Sequence, residues 1–431
     1  MTVGIAGTGP AVDAIVAALG DVDVEVERQQ ALDVGAFELA IVVDVAGAAG
    51  FDRANGLALD SGTPWIAVEL GGVGGVPVVD AAISGFDSST GCYDCLKARV
   101  RSNVDPSESP TEAQPPATAR FAGAIAGRAA ASRLEDATAG PDVFGHVIEL
   151  PYDQRQFLPV PHCPCENESD QSIGREEIHR SVEDSLSIAE QGLDERVGIV
   201  KEVGEVESYP LPYYMARTAD ASGFSDGALP TRAAAGVALD WNDALMKAFG
   251  EAYERYAASI YRTSSLLEAT ANVLDTAVPP KAFVGSESID NHTRLWIEGE
   301  NLDSGQTVQL PASLVVYPPP EERIRPANTT GLGLGNDVVE ALLSGLYEVI
   351  ERDASMLSWY STFDPLGLVV EDEDFETLTA RLGAEGLDVT TLLLTQDVDV
   401  PVVACAVHRD GEWPRFALGS GARLNPVEAA R

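Results

Sequence analysis

The stretch Val3–Leu19, VGIAGTGPAVDAIVAAL, decides the reading of the N-terminal half. It reads as a strand, a glycine turn and a helix. Three further strands follow: VDVEVER (Val22–Arg28), ELAIVVDV (Glu38–Val45) and PWIAVEL (Pro64–Leu70). Strands alternating with helices predict a doubly wound α/β domain with a parallel sheet, of Rossmann type. A polar stretch, Asn103–Ala119, is expected as an exposed loop, and a helix over Ala119–Arg133 resumes the domain. LPVPHCPC closes it near Cys165, which predicts a first domain over 1–168.

From residue 169 to 431 the text changes character and reads as an α+β second domain. Long helices are expected over Asn242–Arg262 and Asn336–Tyr360. Between them, TRLWIEGENLDSGQTVQLPASLVVY reads as an antiparallel hairpin turning at Asp303-Ser304-Gly305. VPVVACAVHRD (Val400–Asp410) is a further strand.

Composition narrows the function. The 431 residues carry 68 acidic against 28 basic side chains, a formal charge of −40. Nucleic acid is disfavoured as a partner, because duplex binding needs Lys and Arg to neutralise phosphate. Anionic membrane surfaces are disfavoured for the same reason, and no apolar run is long enough to span a bilayer. Lys97, Lys201, Lys247 and Lys281 are the only lysines. Acid excess with lysine depletion resembles proteins of salt-loving archaea, whose charge repulsion molar salt screens within about 3 Å. MTVGIAGTGP has no basic signal-peptide region, so a cytoplasmic protein is expected.

Three groups of residues could carry chemistry. Gly7-Thr8-Gly9-Pro10-Ala11-Val12 begins as a dinucleotide fingerprint, but Val12 occupies the third glycine position, and Glu27 is a weak ribose-binding candidate. A structural turn is favoured over nucleotide binding. Cys92-Tyr93-Asp94-Cys95 and Cys163-Pro164-Cys165 offer four thiolates, enough to close a structural zinc site; a redox pair or unrelated thiols are the alternatives. His162 is a spare ligand candidate, and Cys405 reads as core.

The third group is acidic. In the second long helix Glu340, Ser344, Glu348 and Glu351 fall within a stripe about 80° wide, at ~100° per residue. Val338, Val339, Leu342, Leu343, Leu346, Val349 and Ile350 surround it, so this helix is expected in the interior. On the first long helix Lys247, Glu251 and Glu254 share a face, with Arg255 beside them. Rows of acids on two buried helices would repel without cations between them. Arg255 and Arg352 supply part of that charge; magnesium bridging to phosphates would supply the rest, an ordinary solvated acidic face being the alternative.

These helices resemble the YcaO family of ATP-dependent peptide-backbone modifying enzymes. GEAYERY (Gly250–Tyr256) and GLGLGNDVVEALLSGLYEVIERDA (Gly331–Ala354) carry the resemblance, with the hairpin, DVDVPVVACAV and GSGARLNPVEAA. Through GCYDCLKARVRSN and LPVPHCPC, the N-terminal half resembles the ThiF-like partner domain of azoline-forming cyclodehydratases, which carries structural zinc and presents a leader peptide.

The resemblance implies ATP- and Mg2+-dependent thiazoline or oxazoline formation from Cys, Ser or Thr in a ribosomally made precursor peptide, as in bacteriocin maturation. It places Lys247, Glu251, Glu254, Arg255, Asn336, Glu340, Ser344, Glu348, Glu351 and Arg352 around ATP and magnesium, and Cys92, Cys95, Cys163 and Cys165 around zinc. A homodimer is a candidate assembly. Lys247 stands where the family has Ser, and Ala234-Ala235-Gly236 replaces a Gly-Lys-Gly element. The family also continues past the position of Arg431, so an incomplete C-terminus is expected. Thioamide formation and a non-catalytic peptide-binding scaffold are the competing readings.

Overall fold

The computed structural model describes residues 1–30, 33–104, 114–135, 140–151, 153–165, 174–227, 232–284, 292–320, 328–395, 397–411, 413 and 415–431. They form two compact units: Met1–Gln171 with Glu190–Glu202 and Thr218–Ser225, and Ser172–Ala189 with Val203–Arg217 and Asp226–Arg431. Of the loop expected over 103–119, residues 105–113 lie outside the described ones.

The first unit is built on a seven-stranded sheet of order β2-β1-β3-β4-β5-β6-β7. Strands β1 (Thr2–Ala6), β2 (Glu25–Gln29), β3 (Leu39–Val45) and β4 (Trp65–Leu70) run parallel. Strands β5 (Ala81–Phe86), β6 (His146–Leu150) and β7 (Asp153–Gln156) extend it antiparallel. The sheet is therefore mixed, where the sequence predicts a parallel one. The connection 71–80 holds no helix, and a parallel return needs a longer crossover.

Helices α1 (Pro10–Leu19), α2 (Ala49–Ser61), α3 (Tyr93–Asn103) and α4 (Pro116–Leu134) cover the sheet. The glycine turn enters α1 with Gly7 and Gly9 at φ of 122° and 93°. Val12 is buried in the core under α1, filling the space that a third glycine would leave. A second apolar cluster gathers Phe51, Trp65, Phe86 and Tyr93, with Trp65 and Phe86 ring centroids 4.9 Å apart.

The second unit is α+β. Helix α5 (Val182–Ala189) precedes a three-stranded sheet of β8 (Val200–Glu207, from Val203 onward in this unit), β9 (Tyr213–Thr218) and β10 (Ala233–Val237). Helix α6 (Trp241–Ser259) follows, then the sheet of β11 (Leu267–Ala269), β12 (Arg294–Asn301) and β13 (Gln306–Pro311). The β12–β13 hairpin turns where the sequence predicts, with Asn301 Oδ1 accepting from the amides of Asp303 and Ser304. Helices α7 (Ala312–Val315) and α8 (Val338–Tyr360) lead into a four-stranded antiparallel sheet of β14 (Leu366–Gly367), β15 (Asp388–Leu393), β16 (Val402–His408) and β17 (Phe416–Ala422). Helix α9 (Glu373–Ala384) lies between β14 and β15 in the chain, and α10 (Pro426–Ala430) ends it.

A second expectation is overturned. Helix α8 is not an interior helix. Only Gly345 and Ala354 are buried, whereas Leu342, Leu346 and Val349 are 39%, 49% and 44% exposed. Tyr347, Ile350 and Ala354 pack on the apolar cluster of the four-stranded sheet, and one helix flank suffices for that contact. Among the described residues, no helix is long and apolar enough to cross a membrane.

Candidate active site and cysteine cluster

Helix α6 is capped by Asp240, whose side chain accepts from Asn242 N at 2.8 Å. Its inner face is small, with Ala244, Ala248 and Ala252 buried beside Phe249 and Tyr256. Strand β10 lies directly on that face: a Cβ at Gly236 would meet Ala244 O at 2.1 Å. This contact fixes Ala235, whose N–H donates to Glu251 Oε2 at 2.6 Å. Arg255 holds the other oxygen of Glu251 and donates to Ala233 O.

Helix α8 is capped by Asp337, which accepts from Glu340 N at 2.8 Å and from Ile178 N at 2.5 Å. The loop before it folds back along the helix, since a Cβ at Gly345 would meet Gly331 O at 2.5 Å. From that loop Gly331 N donates to Glu348 Oε2 at 3.2 Å. Asn336 donates through its amide and Nδ2 to Glu340 Oε2 at 2.8 and 3.0 Å, and accepts from Ser185 Oγ at 2.7 Å.

Two clefts result. One, of about 370 Å³, is lined by Glu251, Glu254, Arg255, Ser344, Glu348, Glu351 and Arg352, together with Thr329, Leu332 and Arg423. The other, of about 430 Å³, takes Asn336, Glu340 and Ser344 with Asp337, Tyr347, Arg423 and the segment Glu177–Arg180. They share Ser344 and Arg423. The structure thus gathers nine of the ten residues singled out on α6, on α8 and in the loop before α8. Lys247 lines neither cleft; its Nζ donates to Val237 O at 3.2 Å.

The acidic cleft is electrostatically unbalanced. Partial burial, reinforced by Glu348 and Glu251, pushes the Glu254 carboxyl up to about 7, with Arg255 opposing. The Glu254 carboxylate has no hydrogen-bond partner among the described residues. Burial also raises Glu351, although Ser420 Oγ donates to it at 2.7 Å. Arg352 Nε stands 3.5 Å from Glu348 Oε1. Carboxylates crowded in this way, with free oxygens on a cleft, match the donors that hard divalent cations require.

The sequence reading missed Arg423, whose guanidinium lies 5.1 Å from the Tyr347 ring centroid. It follows β17 in the chain, distant from both acidic helices, and only its place in GSGARLNP hinted at it. The strap Glu177–Arg180 was missed too. Its Arg180 donates to Asn336 O at 2.7 Å, but its charged text reads as ordinary surface.

In the first unit, Cys92 and Cys95 stand at the start of α3. The neighbouring Tyr93 hydroxyl donates to buried Glu69 at 2.8 Å, and Glu69 also accepts from Gly74 N and Gly75 N. Cys163 and Cys165 complete a cluster whose four sulfurs all lie within 4.8 Å of one another. The Cys92–Cys163 and Cys95–Cys165 separations are 3.6 and 3.4 Å, and Cys92–Cys95 is 4.0 Å. A tetrahedron with Zn–S bonds of ~2.3 Å has edges of about 3.8 Å. Val160 N donates to Cys95 Sγ at 3.2 Å, as amides around bound thiolates do. His162 stands outside the cluster, and Cys405 lies half-buried on β16.

Residues 235–431 match the YcaO cyclodehydratase family, described as binding ATP and Mg2+. This segment is a YcaO domain. Both acidic helices and Arg423 belong to it. An uncharacterized protein of Methanothermobacter thermautotrophicus is 32% identical over 244 residues, covering 53% of this chain and 60% of that one. Two solved structures share the fold over 99% of this chain, each at 21% identity. One is a heterocyclase in complex with substrate and cofactor, at a TM-score of 0.74; the other is the heterocyclase TruD, at 0.65. The chain spans 66% and 65% of their lengths. The first unit and the YcaO domain therefore occur together in that architecture.

Proposed function

We propose that this protein is an ATP- and Mg2+-dependent cyclodehydratase that forms thiazoline or oxazoline rings in a ribosomally made precursor peptide. One observation carries the reading: within a YcaO domain, four glutamates converge on a cleft where Glu254 has no hydrogen-bond partner among the described residues and its carboxyl is pushed up to about 7. A solvated acidic face would leave such a carboxylate at its ordinary value.

In this reading Glu251, Glu254, Glu348 and Glu351 hold magnesium, and Arg255, Arg352 and Arg423 face phosphate oxygens. Asn336 and Glu340, tied to each other, orient the nucleotide from the adjoining cleft. ATP, when bound, supplies the phosphoryl group that carries the amide oxygen away as phosphate. The chain's own work is positioning and charge neutralisation, which account for most of the catalysis in phosphoryl transfer. At its raised pKa Glu254 can also exchange a proton near pH 7.

The cysteine tetrad fits a closed structural zinc site, because its four sulfurs leave no open position for water. Free, paired thiols suit the cytoplasm, and the acid excess suits a salt-rich one. The test is phosphate release from ATP and Mg2+ with cysteine-containing precursor peptides, followed by mass spectrometry. Peptide-dependent phosphate with loss of one water per modified residue is expected. Exchange of oxygen for sulfur would assign thioamide formation instead. Nucleotide binding without turnover on any peptide would leave a scaffold.

A further inference from the structure

We propose that the open edge of β17 takes the substrate peptide as an added strand, setting its backbone beside the acidic cleft through main-chain hydrogen bonds. Arg409 N donates to Arg415 O at 3.1 Å and Arg423 N to Pro401 O at 3.3 Å, which fixes the hydrogen-bonding phase of the β16–β17 ladder. In that phase Ala417, Gly419 and Gly421 turn their backbone groups toward β16, opposite Val407, Cys405 and Val403. Phe416, Leu418 and Ser420 therefore turn theirs outward. Among the described residues, no strand pairs with that edge.

Natural sheets protect such edges with charge, proline or a bulge. The edge strand β2, EVERQ, carries Glu25, Glu27 and Arg28. Strand β17, FALGSGA, has no charged residue and no proline, pairs with β16 without a break in register, and leaves Phe416 61% and Leu418 55% exposed. An edge of this kind is a template for an extended backbone.

Its position selects the occupant. Ser420, in the outward-facing set, donates its hydroxyl to Glu351 Oε1 at 2.7 Å, and Glu351 lines the acidic cleft. A strand paired with Ser420 brings its own amide groups to the cleft where an amide is the proposed reacting group. Backbone pairing also tolerates variation in peptide side chains.

The inference rests on the peptide-substrate reading, and its test needs no turnover. The probe is a fluorescein-labelled extended peptide of alternating threonine and valine with lysine at both ends and a central cysteine. A matched probe carries N-methyl groups on consecutive central amides. Fluorescence polarisation at fixed salt, without nucleotide, compares both probes on wild type and on Leu418→Pro. Proline at this position removes an outward N–H and spares the ladder to β16. Losing one or two hydrogen bonds predicts about tenfold weaker binding for the N-methyl probe on wild type and for the plain probe on Leu418→Pro. Mg–ATP binding by calorimetry stays unchanged. Leu418→Lys replaces the proline variant if circular dichroism shows that the latter is misfolded.

Equal affinity of the two probes overturns the proposal, as does wild type that fails to bind the plain probe. So does a wild-type dimer in light scattering that Leu418→Pro converts to monomer, since a second copy would then occupy the edge. Absence of peptide-dependent phosphate release would remove the catalytic reading separately.

Discussion

The molecule holds two clusters of metal-grade ligands built on opposite principles. In the first unit four cysteine sulfurs lie within 4.8 Å of one another, with Cys92 and Cys95 buried in the core and an amide already donating to one sulfur. In the YcaO domain four glutamates line an open cleft of about 370 Å³. Soft ligands at one fixed spacing suit a single resident ion. Hard ligands spread around a cleft suit cations that arrive and leave with a substrate. In the proposed reading the first would stabilise a fold and the second would take up its cations with the nucleotide.

The largest effect is expected where the ligand set is closed. Cys95→Ser should abolish bound zinc by elemental analysis and lower melting of the first unit by roughly 10 °C. A strong chelator should reproduce that loss in wild type and change nothing further in the variant. If wild type contains no zinc and ignores the chelator, the contrast between the clusters fails. The acidic cleft should answer differently. Glu348→Gln should weaken Mg–ATP by about a hundredfold in calorimetry, while the unfolding free energy of the unliganded protein changes by less than about 1 kcal/mol. Equal binding by both proteins would remove the cation site.

Much of this contrast was legible beforehand, and the failures have a common cause. The strand–turn–helix of Val3–Leu19 and the hairpin at Asp303–Gly305 are set by local backbone preferences, so sequence alone exposes them. Of the stripe of Glu340, Ser344, Glu348 and Glu351 that helical periodicity predicts, the last three line one cleft, while Glu340 lines the adjoining one. Which apolar flank of α8 is covered does not follow. Val338, Leu342 and Leu346 read like Tyr347 and Ile350, and only the sheet that packs against the latter pair separates them. The antiparallel half of the first sheet depends on a connection too short for a helix. Arg423 enters the site only through the tertiary placement of β17.

The subtlest prediction concerns Glu254. Its carboxyl is raised from the ordinary 4.5 to about 7 in the folded state, so folded protein binds a proton there more readily than unfolded protein. Stability from this group is intact below about pH 4.5, declines as pH rises, and has reached its minimum above about pH 7. Glu254→Gln removes the titration. Without magnesium and nucleotide, the variant should match wild type near pH 4 and exceed it by about 1–2 kcal/mol at pH 8, after discounting the shift for solvent screening. Denaturant melts at the two pH values measure the difference. Mg–ATP should reverse the order at pH 8, since the charged carboxylate that destabilises the empty cleft is the one that binds the cation. A variant no more stable than wild type at pH 8 would mean that solvent already relieves the crowding, and the cleft would then need no ligand to balance it.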